Sequence, residues 1–207
     1  MGKKRIRYID VARGIAIILM VLGHVLEVGT VGRDIIFSFH MPLFLIVSGY
    51  FFTDKGSLKN LFCKMVTKLL IPAFVILVFV DFINFLRWDT GIRSFMSSAA
   101  HQIFLFYSYR NDGEGVVWDY PYGTGVMWFI SLIFLVKLLY FFVNKLTKGN
   151  VYENIAVSFV LAMGGYFISQ NLSYWLPWSF DVALSGAVFF GIGHFLKVYS
   201  EEVKKYT

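Results

Sequence analysis

Residues 11–28 read VARGIAIILMVLGHVLEV. A hydrocarbon core about 30 Å thick takes about 20 residues of helix, and this run comes close to that length. It is apolar at most positions, yet it holds an arginine and a histidine that apolar surroundings alone do not explain. Five further apolar blocks follow, at about 35–52, 69–86, 126–143, 155–169 and 182–196. Of the 207 residues, 57% are hydrophobic and 15% charged, against about 25% charged in an ordinary soluble domain. The expected fold is therefore all-α, a polytopic transmembrane bundle of about six spanning helices in a single membrane-embedded domain over 1–207.

The formal net charge of +6 has a better explanation than nucleic acid, because the basic residues collect in alternate loops. Lys3, Lys4, Arg5 and Arg7 precede the first block, and Lys55, Lys59, Lys64 and Lys68 lie between the second and third. Lys145 and Lys148 separate the fourth and fifth, and Lys197, Lys204 and Lys205 follow the sixth. Both termini are expected in the cytoplasm. The long third loop holds Arg87, Arg93 and Arg110, offset by Asp89, Asp112, Glu114 and Asp119. It contains an aromatic stretch at 101–107, too short to span and expected to lie in the interface or fold back, and then NDGEGVVWDYPYGTG, which suits an ordered outer loop.

The N-terminus, MGKKRIRYIDVARG before an apolar run, superficially resembles a secretory signal. No small-residue cleavage site follows it, so a retained first helix is expected. Cys63 is the only cysteine, which rules out an intrachain disulfide. It reads as a small apolar filler on the cytoplasmic side.

Arg13 and His24 stand eleven helical steps apart, about 1100°, or three turns plus roughly 20°. They share one face, with an axial separation of roughly 16 Å. Ionisable residues inside a span are costly and point to function. For Arg13 the bland alternative is snorkelling to the headgroups, and Asp10 one turn earlier can pair with it. The second block carries His40, within Phe37-Ser38-Phe39-His40-Met41-Pro42. A short loop joins antiparallel helices, so His24 and His40 fall at comparable depth. Two histidines in the outer half of a membrane suggest proton transfer, and Glu27 beyond His24 can raise its basicity. No spacing supports a metal site.

Ser48-Gly49 reads as close helix packing, since no GxSxG elbow surrounds the serine. Lys64 and Lys68, expected just before the third helix, can attract phosphate or simply mark orientation. Trp128 and Phe129 suit an interfacial aromatic belt. Asp181 suits a helix N-terminus.

These residues resemble the acyltransferase-3 family of membrane acyltransferases, in particular its fucose 4-O-acetylase-like branch. The resemblance rests on Arg7-Tyr8-Ile9-Asp10-Val11-Ala12-Arg13-Gly14 through Gly23-His24, on Phe39-His40-Met41-Pro42-Leu43-Phe44, and on Ser48-Gly49-Tyr50-Phe51. Weaker echoes appear at Leu69-Leu70-Ile71-Pro72, Trp128-Phe129 and Leu176-Pro177-Trp178 through Asp181, ending in Phe189-Phe190-Gly191-Ile192-Gly193. It implies transfer of an acyl group, usually acetyl, from cytosolic acyl-CoA to a hydroxyl of a cell-envelope carbohydrate, in a bacterial cell membrane. By that resemblance Arg13 helps hold the coenzyme A donor and His24 is the essential histidine, a base on the acceptor hydroxyl.

Two departures accompany the resemblance. The family has an arginine-rich pair where this chain has Lys64 and Lys68, and lysine lacks the bidentate fork. Family members also have about ten spanning helices, so this chain looks shortened at its C-terminus, with a second polypeptide able to supply the rest. The competing readings are a non-enzymatic membrane transport or binding module, with His24, His40 and Glu27 as a polar track, and an inactive remnant of such an enzyme.

Overall fold

In the computed structural model, residues 6–53, 56–88, 91–105, 128–172 and 176–203 are described, and among them there is no strand. Eight α-helices follow in order: α1 (Arg7–Val25), α2 (Val31–Tyr50), α3 (Leu58–Met65), α4 (Ile71–Trp88), α5 (Ile92–Leu105), α6 (Trp128–Leu146), α7 (Val151–Asn171) and α8 (Phe180–Val203). A π-helical turn, Val66–Leu70, joins α3 to α4, and a 3₁₀ turn, Pro177–Ser179, leads into α8. Six of the resulting helical stretches are long and apolar enough to cross a membrane. The bundle of six spans expected from hydropathy is the observed fold.

The third span differs from the sequence expectation. Its helix starts at Leu58 and runs unbroken to Arg87, 30 residues rather than eighteen, or about 45 Å at 1.5 Å per residue. Lys59, Lys64 and Lys68 are thus on the helix and not in a loop ahead of it. Ser57 starts it, its hydroxyl accepting from the Asn60 N–H at 3.3 Å. The π turn has a local cause in Pro72. Proline has no N–H to donate and its ring crowds the carbonyl four residues back. A wider turn just before it, in which the Ile71 N–H bonds the Val66 carbonyl, keeps the helix going.

A five-residue turn, with Gly29 in the left-handed region at φ 84°, folds α2 back along α1. The Thr30 hydroxyl donates to the Glu27 carbonyl at 2.8 Å and closes that turn. Beyond it, α1 packs chiefly on α2. The α2 helix in turn lies parallel to α8 with the backbones almost touching. A Cβ on Gly49 would overlap the Phe190 carbonyl, and one on Gly193 would overlap the Ile46 carbonyl. Lipid tails give apolar faces no reason to associate, so close small-residue contacts of this kind hold membrane helices together. The packing role expected for Ser48-Gly49 is what the glycine performs.

Antiparallel α6 and α7 pack on the remaining sides of α8, and Leu45, Phe52, Leu132, Val136, Tyr140, Ala183 and Phe190 form the main core. Interhelical polar bonds add to it. The Tyr140 hydroxyl and His194 Nδ1 are 2.9 Å apart, and Asn154 Nδ2 donates to Asn144 Oδ1 at 2.8 Å. Thr147 donates to Asn154. On the other flank the Ser98 hydroxyl of α5 donates to Asp81 Oδ2 of α4 at 2.9 Å.

The outer faces stay apolar: Val11, Ile15, Ile18, Val21 and Val25 of α1 and Val75, Phe79, Ile83 and Leu86 of α4 are exposed. On a water-soluble protein such a surface would drive association; in a bilayer it meets lipid. The backbone of α5 is helical as far as 105. The rest of the aromatic stretch and the glycine-rich segment after it, 106–127, lie outside the described residues, as do Lys204 and Lys205.

Gly14 and Gly193 make a controlled comparison, because a Cβ on Gly14 meets nothing within 4 Å. Gly193→Ala should lower the detergent-solubilised protein's stability by roughly 3 kcal/mol, the upper end of overpacking costs. Gly14→Ala should leave stability unchanged or raise it by up to about 1 kcal/mol. Fluorescence-detected thermal unfolding measures both, and equal effects would refute the backbone contact.

Candidate active site

The two histidines of α1 and α2 meet across one ring. Gly23, buried against α2, brings the Phe37 ring so close that a Cβ there would sit 2.7 Å from it. His24, the next residue, packs edge-on to Phe37 with ring centroids 5.4 Å apart. His40 lies 5.1 Å from the same ring, and the Arg33 guanidinium lies 4.9 Å from its centroid. Phe37 is therefore the hub of an Arg33, His24 and His40 cluster near the α1–α2 turn.

The two rings differ in setting. His24 is exposed on the flank of α1, whereas His40 is 3% exposed. His40 Nδ1 lies 2.8 Å from the Ile36 carbonyl oxygen. A carbonyl can only accept, so Nδ1 carries the proton, and Nε2 of the neutral ring keeps a lone pair. That Nε2 is buried without a hydrogen-bond partner. Glu27 sits in the turn after α1, outside the helix that ends at Val25, and is exposed. Asp181, placed at a helix N-terminus by sequence, is in the first turn of α8; it is buried, with Oδ1 unpartnered. Ser179, just before it at φ 56°, is buried with its hydroxyl unpartnered as well.

Cations gather toward the opposite end of α1. The Arg13 guanidinium lies over the Phe51 ring, 4.5 Å from its centroid, a favourable cation–π geometry. Tyr8 bonds Tyr50 at 2.9 Å, and Tyr50 lies 3.3 Å from the Ser200 hydroxyl, which ties α1, α2 and α8 together here. Lys64 and Lys68 are exposed on the long third span. A third basic residue joins Arg13 and Lys64: both lie within electrostatic range of Lys137 on α6.

Lys137 was missed in the sequence, although it is the one charge inside the apolar run ISLIFLVKLLYFF. Its mid-span position was a usable signal. Arg33 and Phe37 were missed for another reason, since neither residue type is unusual at a helix end. Among the described residues, no three His, Cys, Asp or Glu side chains gather as a possible metal set.

A family model described as an acyltransferase domain, of the acyltransferase-3 type, matches residues 6–206. The chain belongs to that family. No curated protein and no solved structure matches it. In this acyltransferase-family chain, then, the structure brings His24 and His40 to the same Phe37 ring and brings Arg13 and Lys64 each into electrostatic range of Lys137. The two groups occupy opposite ends of one helix, as the spacing of Arg13 and His24 requires.

Phe37→Leu tests the hub. Removing the ring should cost about 0.5–1.5 kcal/mol for each aromatic pairing it makes, and the imidazole proton resonances of both His24 and His40 should move as the ring current disappears. His194, bonded to Tyr140, should not respond. A spectrum in which neither His24 nor His40 shifts would contradict the arrangement.

Proposed function

We propose that the chain is a membrane O-acyltransferase that moves an acyl group, acetyl first among them, from acyl-coenzyme A to a hydroxyl of a cell-envelope carbohydrate. The observation that carries this reading is the division of α1 in an acyltransferase-family chain: cations at Arg13, paired histidines around Phe37 roughly 16 Å further on. Phosphates need the first and a hydroxyl proton needs the second.

In this reading Arg13, Lys64 and Lys68 hold the phosphates of the donor. Arg13 is the fixed member because its planar group is stacked on Phe51. The thioester extends along α1 toward His24. The acceptor hydroxyl oxygen attacks the thioester carbonyl carbon while its proton passes to His24. The carbon–sulfur bond then breaks, and His24 returns the proton to the departing thiolate, which leaves as coenzyme A. The exposed setting of His24 suits a group that must meet an acceptor. The lone pair of His40 Nε2, fixed by the bond from Nδ1 to Ile36, can accept a hydrogen bond from the same acceptor. In this reading Glu27, in the turn after α1, favours the imidazolium that forms on His24.

The basic residues of the long third span support an orientation with Arg13 and both termini toward the cytoplasm, where acyl-coenzyme A resides. A sugar acceptor, as in the fucose 4-O-acetylase-like branch, would then approach from the histidine side.

Membranes carrying the protein should transfer label from acetyl-coenzyme A to envelope glycan. His24→Ala should reduce transfer by at least about a hundredfold, the scale of a general base, with coenzyme A binding retained. Arg13→Met should show the reverse, weakened donor binding first. Undiminished transfer by His24→Ala would overturn the role given to that histidine.

Orientation has its own test in the single, exposed cysteine. A membrane-impermeant maleimide should label Cys63 in inside-out vesicles and not in intact cells. Labelling from outside would invert the topology and remove the donor side from Arg13.

A further inference from the structure

We infer that Lys137 is a donor-binding residue: with Arg13 and Lys64 it forms a three-cation site, sunk into the membrane, for the diphosphate of acyl-coenzyme A. This rests on the acyltransferase reading above and adds to it a residue, a depth and a particular chemical group of the donor.

The placement comes from three helices. Lys137 is at the midpoint of α6, nine residues from Trp128 and nine from Leu146, so roughly 14 Å from either end. Phe134 and Phe141, one turn away on either side, share its face. Phe134 packs on Phe62 of α3 with ring centroids 5.7 Å apart, and with Leu61 and Met65 it joins one apolar cluster. Lys64 stands between Met65 and Phe62 on that helix. On the other side of Lys137, Tyr140 packs against Phe52 at 5.1 Å, and Phe51, the neighbour of Phe52, carries the Arg13 guanidinium. The stretch of α6 that carries Lys137 is therefore flanked by the Lys64 helix on one side and by the Phe51–Phe52 end of α2 on the other.

Lysine in a spanning helix is tolerated when a carboxylate or a carbonyl meets it or when it snorkels to the surface. Among the described residues, the charged groups that act on Lys137 are two cations, Lys64 and Arg13. Lys137 is half-buried while Arg13 and Lys64 are exposed; the three like charges repel, and an anion among them would be attracted by all three. Their order suggests which anion. Lys64 is exposed near the helix end, Arg13 lies six residues into α1, and Lys137 is at mid-membrane. In coenzyme A the diphosphate is the phosphate group nearest the thioester, and the thioester must reach His24, deeper still. The innermost cation of the three thus faces the diphosphate rather than the ribose 3′-phosphate.

The test uses the full chain in nanodiscs of phosphatidylcholine, which offer no anionic headgroup. Lys137→Met should weaken coenzyme A binding about tenfold or more, on the scale of one charge-assisted hydrogen bond. Lys137→Arg should stay within about threefold of the unaltered protein, a rescue that loss of packing would not give. Lys137→Gln serves as a second neutral variant should the methionine form prove unstable. Dephospho-coenzyme A, which lacks the 3′-phosphate, should be as sensitive to Lys137→Met as coenzyme A, and pantetheine should be insensitive. In acetyl transfer the change should appear as a raised KM for acetyl-coenzyme A at nearly constant kcat.

Equal coenzyme A affinity in Lys137→Met and the unaltered protein would overturn the role of Lys137 while leaving the acyltransferase reading intact. Loss of sensitivity with dephospho-coenzyme A would overturn the assignment to the diphosphate. Reduced retention of phosphatidylglycerol with coenzyme A binding untouched would make the ligand a lipid headgroup and refute the inference. No coenzyme A binding by the unaltered protein would defeat the donor reading itself.

Discussion

The contact between α2 and α8 governs the rest of the molecule. In lipid, apolar faces gain nothing by leaving the surrounding tails for one another, so association relies on close approach and on polar bonds. Gly49 and Gly193 provide the approach: each sits where a side chain would overlap a carbonyl of the other helix. That fixes α2 against α8 in parallel, and Lys197 Nζ, donating to the Phe52 carbonyl at 2.8 Å, seals its end. Because α1 packs chiefly on α2, the position of Arg13 and His24 relative to everything else is inherited from this one seam.

Polar groups inside the bundle divide into two kinds. Tyr140 with His194, Asn154 with Asn144 Oδ1 and with Thr147, and Asp81 with Ser98 bond one another between elements, although Asn144 Nδ2 itself stays unpartnered. Each such bond contributes on the order of 0.6–2 kcal/mol in a membrane protein, and together they specify which helices meet. A second kind is held in place but left with bonding capacity. His40 uses Nδ1 on its own backbone and keeps Nε2 open. Arg33 stacks on Phe37 with a buried Nε unpartnered. Burial of unmet polar groups is costly, and at His40 and Arg33 it leaves bonding capacity beside the Phe37 ring.

The cation end shows how a local backbone device shapes a site. Without the π turn, Pro72 would break the third span near the position where hydropathy starts it. With the turn, the helix extends back to Leu58 and carries Lys64 and Lys68 on a rigid element. Phe62, on the added portion, packs on Phe134 and so brings α3 alongside α6. Three cations from three helices can then share one region, which loop-borne lysines would not do reproducibly.

Much of this was already determined by sequence. Six apolar blocks are enough to require six spans, because an unpaired backbone cannot sit in hydrocarbon and helices satisfy their own bonds. The 3.6-residue repeat places Arg13 and His24 on one stripe of α1, since that relation lies within a single helix. A short turn likewise folds α2 back beside His24, though the residue level with that histidine is Phe37, and His40 lies about one turn deeper. Relations between helices far apart in sequence were not legible. Nothing local says that α8 lies beside α2, that Phe37 stands between the histidines, or that Lys137 shares a region with Arg13 and Lys64. Such contacts depend on which small residues permit close approach and on side-chain shape across helix pairs, and only the tertiary structure decides them. The bounds of the third span escaped for a related reason: hydropathy registers where the chain is apolar, whereas the helix continues wherever its backbone bonds can be met, through a wider turn and into the charged residues.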